Sequence, residues 1–189
     1  MSNRIIIFSA PSGSGKTTIV RHLMSHFPEL AFSISATSRQ PRDNEQNGID
    51  YHFLDNRTFR QKINKGEFLE WEEVYEGTYY GTLKSEVDRI TAEGKTAVFD
   101  VDVVGGINIK KQYGDNALAM FIKAPSLKDL ENRLKNRKTD SEDIIRKRLN
   151  KAEKELGYAQ FFDKIIINDN LDIALKEAKQ IVRQFIDQK

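Results

Sequence analysis

The sequence predicts an α/β protein whose core is a parallel β-sheet flanked by helices. Short apolar runs rich in β-branched residues alternate with segments of helical periodicity, and the run 5–8 passes directly into a glycine-rich loop and a helix. Continuous apolar runs are typical of strands buried on both faces, as in parallel sheets. Their alternation with helices indicates βαβ units. At 189 residues the chain fits one compact domain, 1–189.

The elements follow from the local patterns. Apolar or alternating runs predict strands, and spacing of apolar residues at three and four positions predicts helices. Predicted strands cover 5–8, 30–35, 51–54, 68–75, 95–106, 117–125 and 164–168, and "GTYYGT" (77–82) is predicted to form a turn and a short strand. Predicted helices cover 15–27, 56–65, 83–92, 107–112, 126–135, 141–156 and 171–186.

Two polar stretches interrupt the strand–helix alternation. We expect a core made of 1–33, 85–125 and 155–189, with insertions at 34–84 and 126–154. The first insertion is rich in Arg, Asn and Gln and indicates a binding loop. In the second, Lys and Arg outnumber Asp and Glu by ten to six, so it is suited to lie over an anion.

Composition excludes several classes of function. The chain has no cysteine, which rules out disulfides, thiolate catalysis and Cys-ligated metals. Its 30 basic and 28 acidic residues give a net charge of +2, which does not predict nucleic-acid or membrane-surface binding. No apolar run reaches the length of a membrane span or a signal-peptide core. We therefore expect a soluble, cytoplasmic protein.

The stretch "SAPSGSGKTT" after the first strand resembles the phosphate-binding pattern G-x-x-x-x-G-K-[ST], with Ala10 in place of the first glycine. Backbone N–H groups and the dipole of the following helix attract an anion there. Lys16 can reach the β- and γ-phosphates of ATP, and the Thr17 hydroxyl can bind Mg²⁺. The alternative is a Ser/Gly turn before an ordinary helix. The candidate ATP-binding residues are Ala10, Pro11, Ser12, Gly13, Ser14, Gly15, Lys16, Thr17 and Thr18.

Alanine at position 10 is acceptable only where φ is negative, since a left-handed angle would cost about 1–2 kcal/mol. We therefore expect a negative φ at Ala10. Further along, "VFDVD" places Asp100 and Asp102 two apart, on one side of the predicted strand. Such a carboxylate suits the Mg²⁺ side of a phosphate-loop site, with Asp100 a candidate for a water-mediated contact. The alternative is that both cap or turn a strand end.

More specific motifs follow in a fixed order: "FSISATSRQPR", "NGIDYHF", "GEFLEW", "YYGT", "FDVDVVG" and "IIIND". With the phosphate loop, they closely resemble the guanylate kinase family over essentially the whole chain. The resemblance implies that MgATP and GMP are converted to ADP and GDP in purine nucleotide metabolism, by in-line phosphoryl transfer with lid closure. It also implies that 34–84 binds GMP and 126–154 is the lid. dGMP is an expected second acceptor.

The resemblance assigns the guanine edge to Glu70, with Asp102 as a second carboxylate and Ser35 and Thr82 as hydroxyl partners. A carboxylate matches the adjacent N1–H and 2-amino donors of guanine. Adenine lacks that donor pair, so we expect Glu70 to exclude AMP.

The resemblance also assigns the phosphates. Arg39, Arg42, Tyr51 and Tyr80 would contact the GMP phosphate, with Glu45 supporting them. Asp100 belongs to the same acceptor region. Residues expected at the ATP and the transferring phosphate are Arg133 and Asn168 near adenine, and Arg137 and Arg148 at the phosphate. Lys16, Arg39, Arg137 and Arg148 are therefore the expected catalytic residues, acting by positioning and charge neutralisation.

Some features stay outside this assignment. The family often has Gln where this chain has Val104, which puts the support of Asp102 in doubt. We expect Trp71 to pack in the core, and His22 and His26 to form a solvated helix end rather than a metal site. A non-catalytic interaction module and a kinase for another acceptor remain as alternatives. The first should lack the phosphate loop and the second the guanine-edge carboxylates.

Overall fold

The computed structural model describes residues 4–136 and 141–188. Within these ranges the chain forms nine strands and seven α-helices. The strands are β1 (Ile5–Ser9), β2 (Leu30–Phe32), β3 (Ala36–Thr37), β4 (His52–Phe53), β5 (Phe68–Tyr75), β6 (Thr78–Leu83), β7 (Thr96–Asp100), β8 (Ala117–Lys123) and β9 (Lys164–Ile167). The helices are α1 (Lys16–His26), α2 (Asn56–Asn64), α3 (Lys84–Ala92), α4 (Val103–Tyr113), α5 (Leu127–Asn136), α6 (Glu142–Leu156) and α7 (Leu171–Asp187).

Five strands form the predicted parallel sheet, in the order β2-β7-β1-β8-β9. β1 lies at the centre, and its neighbours β7 and β8 lie on opposite sides. In open α/β sheets, ligands bind beyond the carboxyl ends of strands at such a point. The predicted α/β class is confirmed, and the loop after β1 occupies the expected binding edge.

The β-branched runs are explained by burial on both faces of this sheet. Ile5 and Ile7 point into one apolar layer with Phe99 and Phe121. Ile6 and Phe8 point into the other, which α1 and α7 cover. Because alternate residues of β1 enter different layers, every position of the strand must be apolar or small.

A second, four-stranded sheet of order β4-β3-β6-β5 lies within the predicted insertion. β5 and β6 pair antiparallel, β6 pairs antiparallel with β3, and β3 pairs parallel with β4. Phe59 of α2 stacks on Phe68 with ring centroids 4.4 Å apart, and both belong to a separate apolar cluster. The insertion therefore has a small core of its own.

Three sequence-based expectations are wrong. The strand predicted to run into the glycines ends at Asp100, and Gly105 and Gly106 lie inside α4. The strand predicted to reach Ser35 ends at Phe32. Trp71, expected in the core, is 47% exposed, because it lies on the outer side of the small sheet beside the Tyr79 ring.

Most helix boundaries were predicted more closely; the exception is α4, which was predicted to begin at 107 and begins at Val103. Ser126 caps α5, since its hydroxyl accepts a hydrogen bond from the Asp129 backbone N–H at 3.1 Å. α6 begins directly after Ser141 and carries Glu142 and Asp143 in its first turn. No helix in the described ranges is long and apolar enough to cross a membrane.

Gly81 of β6 tests the packing of the small sheet. A Cβ at this position would lie 2.7 Å from the backbone oxygen of Glu70 and 2.9 Å from the Trp71 Cβ. Because β5 cannot move away cheaply, we expect Gly81→Ala to lower the free energy of unfolding by about 1–3 kcal/mol. Glu76→Ala, at the exposed turn of the same hairpin, should change it by less than about 0.5 kcal/mol. Denaturant unfolding measures both, and equal effects would contradict the close-packing argument.

Candidate active site

The phosphate loop has the strand–loop–helix context that the sequence predicted. Residues 10–15 connect β1 to α1, and Gly13 (φ 96°) and Gly15 (φ 93°) carry left-handed backbone angles. Ala10 packs partly against the apolar layer beneath α1. Residues 10–18 line a cavity of about 460 Å³ together with Asp100, Asp102 and Arg148. The loop therefore surrounds a pocket large enough for a phosphate chain.

Asn168, directly after β9, forms a hydrogen bond with this loop and braces it. Its side-chain amide donates to the Ser14 backbone oxygen at 2.8 Å, and its backbone N–H donates to Lys123. A Cβ at Gly15 would overlap the same amide group, which explains why glycine is needed there. Asn168 is only 5% exposed, so in this structure it braces the loop.

Arg133 of α5 donates to the backbone oxygen of Asn168 at 2.6 Å. Neither residue lines the loop cavity, and their contact with adenine stays a prediction. The bracing role was missed at the sequence level, because it depends on a contact between segments far apart in the chain. α5 also approaches the loop directly, since a Cβ at Gly13 would lie 3.1 Å from Leu130 and Leu134.

Lys16 forms an ion pair with Asp100, the last residue of β7. The parallel register explains the contact: Phe8 pairs with Asp100, so β1 and β7 end side by side. Thr17 lines the same cavity. A hydroxyl and a carboxylate are hard oxygen ligands suited to Mg²⁺, so the residues present fit the expected ion.

Asp102 does not lie on the strand, contrary to the prediction. It is the N-cap of α4, and its Oδ1 accepts hydrogen bonds from the backbone N–H groups of Val104 (2.8 Å) and Gly105 (2.9 Å). The cap interpretation considered for this residue is therefore correct. The side chain of Val104 is 52% exposed, so the described support of Asp102 comes from backbone donors and needs no glutamine.

A second cavity of about 510 Å³ lies between the two sheets and contains most of the expected acceptor residues. Its lining comprises Ser35, Arg42, Tyr51, Glu70, Glu72, Val74, Tyr75, Tyr80, Gly81, Asp100, Val101, Asp102 and Lys151. Thr82 is buried behind this wall and donates its hydroxyl to Glu70 at 2.7 Å. Burial, with Asp102 nearby, raises the pKa of Glu70 to about 7.

Arg39 is held by a cluster of the insertion and does not line the cavity. Its guanidinium donates to both carboxylate oxygens of Glu45, at 2.6 and 2.7 Å, and to the Tyr80 hydroxyl at 3.0 Å. It also lies over the Tyr51 ring, 5.0 Å from the centroid. Hydrogen bonds from Arg39 and the Arg42 backbone N–H lower the pKa of Glu45 to about 2. Glu45 thus fixes the cluster, as expected, while Arg42 and the two tyrosines face the cavity.

The two cavities share the segment Asp100–Val101–Asp102 and Lys151 of α6. Lys151 was not singled out from the sequence as a candidate site residue. Its i,i+4 partner Glu155 also lines the loop cavity, and burial raises the pKa of that carboxyl. The basic surplus of the second insertion was the available signal, but it did not single out this lysine.

Two further arginines, Arg137 and Arg148, were expected at the transferring phosphate. Arg148 lines the loop cavity and donates to the Ser12 hydroxyl at 3.4 Å. Arg137 lies outside the described residues. Glu72, which the sequence did not single out, lines the second cavity, and burial together with a hydrogen bond to Asp102 raises its pKa.

Glu70 should make stability depend on pH. Its pKa is higher in the folded protein, about 7, than its ordinary value of 4.5, so the folded state favours the neutral acid. Stability is therefore lost as the pH rises between these two values. We expect wild type to lose about 2–3 kcal/mol of unfolding free energy, relative to Glu70→Gln, between about pH 5 and about pH 8. Denaturant unfolding at both pH values measures this; Glu76→Gln is the control, and parallel curves for wild type and Glu70→Gln would contradict it.

Comparison with known proteins identifies the family of this chain. The family model described as guanylate kinase matches residues 2–185. The guanylate kinase of Bacteroides fragilis is 53% identical over 183 residues, which cover 97% of this chain and 90% of the relative. That of Porphyromonas gingivalis is 53% identical over 184 residues, covering 97% and 98%.

A solved structure supports the fold independently. The crystal structure of guanylate kinase from Anaplasma phagocytophilum superimposes with a TM-score of 0.75 at 24% identity, covering 98% of this chain and 87% of that one. At that identity the likeness concerns the fold alone. With the family model and the close relatives, however, it leads to one conclusion: this chain belongs to the guanylate kinase family.

Proposed function

We propose that this protein transfers the γ-phosphoryl group of ATP to GMP, producing ADP and GDP. One observation carries the proposal: the cavity around the phosphate loop and the cavity lined by Glu70 meet at Asp100, Val101, Asp102 and Lys151. A donor phosphate in the first and an acceptor phosphate in the second would come together at this junction. Membership of the guanylate kinase family supports the same pair of substrates.

The ATP side depends on backbone and cationic groups. The N-terminus of α1 and the loop amides favour the β- and γ-phosphates, and Lys16 adds a positive charge at the start of the helix. Thr17, with Asp100 nearby, would hold Mg²⁺, which when bound neutralises charge on the phosphates. Adenine would lie toward Arg133 and Asn168.

Guanine recognition depends on Glu70. Its carboxylate faces the second cavity and can accept from N1–H and the 2-amino group of guanine together, while the Thr82 hydroxyl fixes Oε1 at 2.7 Å. Ser35 and Asp102 complete the edge. Two ligand donors favour the ionised carboxylate, so guanine binding should lower the raised pKa of Glu70. Adenine offers no such pair, so the carboxylate would gain no donor from that ligand.

The acceptor phosphate would bind Arg42, Tyr51 and Tyr80, which line the same cavity. Arg39 is already held by Glu45 and can add charge beside them. These groups hold base and phosphate, so dGMP should also be accepted.

The transfer step needs no protein nucleophile. An anionic oxygen of the GMP phosphate attacks the γ-phosphorus, the bond to the β–γ bridging oxygen breaks, and ADP leaves with that electron pair. Lys16 and Arg148 neutralise charge on the transferring group, with Arg137 from the lid. Closure of 126–154 would exclude water and so prevent hydrolysis of ATP.

A coupled assay with MgATP and either GMP, AMP, CMP or UMP tests the proposal. We expect turnover with GMP and, for AMP, a kcat/KM lower by about 10⁴-fold or more, because a buried hydrogen-bonding carboxylate rejects a base without matching donors. Comparable turnover with another monophosphate would contradict GMP specificity. No transfer to any acceptor would contradict the function itself.

Lys16→Ala tests the ATP side. Loss of the cation at the transferring phosphate should lower kcat by at least about 100-fold. Lys95→Ala removes an exposed lysine that pairs with Glu93 away from both cavities and should keep wild-type activity. Circular dichroism and thermal unfolding establish that both variants fold. Near-normal turnover by a folded Lys16→Ala protein would sink the role given to Lys16.

A further inference from the structure

Glu86 is a buried carboxylate that the proposed mechanism does not use. It lies in the first turn of α3, directly after β6, and is only 4% exposed. A buried carboxylate is costly unless it is paired and hydrogen-bonded. Its partners therefore indicate what it does.

Four donors converge on this carboxylate. Oε1 accepts from His52 Nε2 at 3.2 Å and from Arg89 Nε at 3.1 Å. Oε2 accepts from the Ile34 backbone N–H and from a terminal nitrogen of Arg89, both at 3.0 Å. Burial alone would raise the pKa of Glu86, but the hydrogen bonds from Arg89, Ile34 and His52 hold it below its ordinary value. Both oxygens are occupied, so Glu86 has no free oxygen to offer a substrate.

The partners of Glu86 are next in sequence to two residues of the second cavity, which is called the acceptor cavity below. Ile34 directly precedes Ser35, and His52 directly follows Tyr51; both Ser35 and Tyr51 line that cavity. The His52 backbone N–H also donates to the Ser35 oxygen at 2.9 Å. One side chain therefore fixes the two segments from which Ser35 and Tyr51 project.

Glu86 also lies where the chain passes between the two sheets. Where the chain enters the small sheet, the Ser33 backbone N–H still donates to Val98 of the large sheet, and the small sheet begins at Ala36. Where the chain leaves the small sheet, β6 ends at Leu83 and α3 begins at Lys84. The hydrogen bond from Ile34 to Glu86 joins these two crossings directly.

We propose that Glu86 is a positioning residue for the acceptor: through Ile34 and His52 it holds Ser35 and Tyr51 in the geometry that binds GMP. The inference rests on the proposed function and adds to it a residue outside both cavities. ATP binds on the other side of the junction, where none of these four donors lies. The effect of losing Glu86 should therefore fall on GMP.

Glu86→Gln is the main variant. Glutamine has nearly the size of glutamate, but its amide places an NH₂ donor where one carboxylate oxygen accepted hydrogen bonds. That donor would then face other donors. Glu93→Gln is the matched control, because Glu93 pairs with the same Arg89, at 2.9 Å, on the exposed side of α3. His52→Ala removes one partner without touching Glu86, and His52→Gln restores a donor at that position. The measurements are KM for GMP and for ATP, kcat, and Kd for GMP by calorimetry.

We expect Glu86→Gln to raise KM and Kd for GMP by about tenfold, the effect of losing one buried charged hydrogen bond, with KM for ATP within about twofold of wild type. His52→Ala should raise KM for GMP in the same direction and His52→Gln should restore it. For the double variant Glu86→Gln/His52→Ala, the increase in KM for GMP should be smaller than the two single effects combined, because both changes remove the same contact between Glu86 and His52. Glu93→Gln should match wild type.

Several results would overturn the proposal. An unchanged KM for GMP would do so, as would an equal rise of KM for ATP, which would indicate a merely structural role. If Glu86→Gln fails to fold, His52→Ala decides, and a normal KM for GMP in that variant sinks the idea. Wild-type protein that does not phosphorylate GMP would instead refute the proposed function, so the two failures are distinguishable.

Discussion

The parallel pairing of β1 with β7 brings together parts of the site that lie far apart in sequence. Its register sets Phe8 beside Asp100, so the phosphate loop and the acidic segment 100–102 leave the sheet at the same edge. The Lys16–Asp100 ion pair follows from that register. Both strands are buried on both faces, and a shift of one residue would exchange side chains between two close-packed layers that they do not fit. The core thus fixes the position of the chemistry.

Positive and negative side chains lie in different parts of the two cavities. Lys16 and Arg148 line the loop cavity, Arg42 lines the acceptor cavity, and Lys151 reaches both. Glu70, Glu72 and Asp102 lie at the acceptor side, close enough that burial and mutual repulsion raise the pKa of the first two. Anionic phosphates suit the cations, and a base with two adjacent donors suits the carboxylates. A ligand that carries both a phosphate and such a base neutralises the cations and supplies hydrogen-bond donors to the carboxylates together.

The sequence predicted the parts of this structure that local patterns determine. Continuous apolar runs identified the parallel strands, and the loop motif identified the strand–loop–helix segment that surrounds the first cavity. Asp102 was misplaced because a strand continuing through "VFDVD" and a helix capped by its second aspartate have the same local pattern. Gly105 and Gly106 have no Cβ and therefore let α4 lie close to Glu70 and Ser9. This close packing favours a helix that begins directly after Asp102. Glu86, Lys151 and the bracing by Asn168 depend on contacts between distant segments, which no local pattern records.

The sequence departs from the expected motifs at Ala10 and Val104. At both places backbone N–H groups, rather than side chains, provide the hydrogen-bond donors. Ala10 replaces a glycine, yet the loop glycines with left-handed angles are Gly13 and Gly15, and a methyl group at position 10 removes no backbone N–H from the loop. The negative φ expected at Ala10 stays a prediction. Val104 replaces a glutamine, yet Asp102 is held by the N–H groups of residues 104 and 105. A backbone donor is supplied by every residue except proline. The geometry at a helix N-terminus can therefore persist while the side chains around it change. The loop residues that give the backbone its path are Gly13 and Gly15, because their φ angles are left-handed.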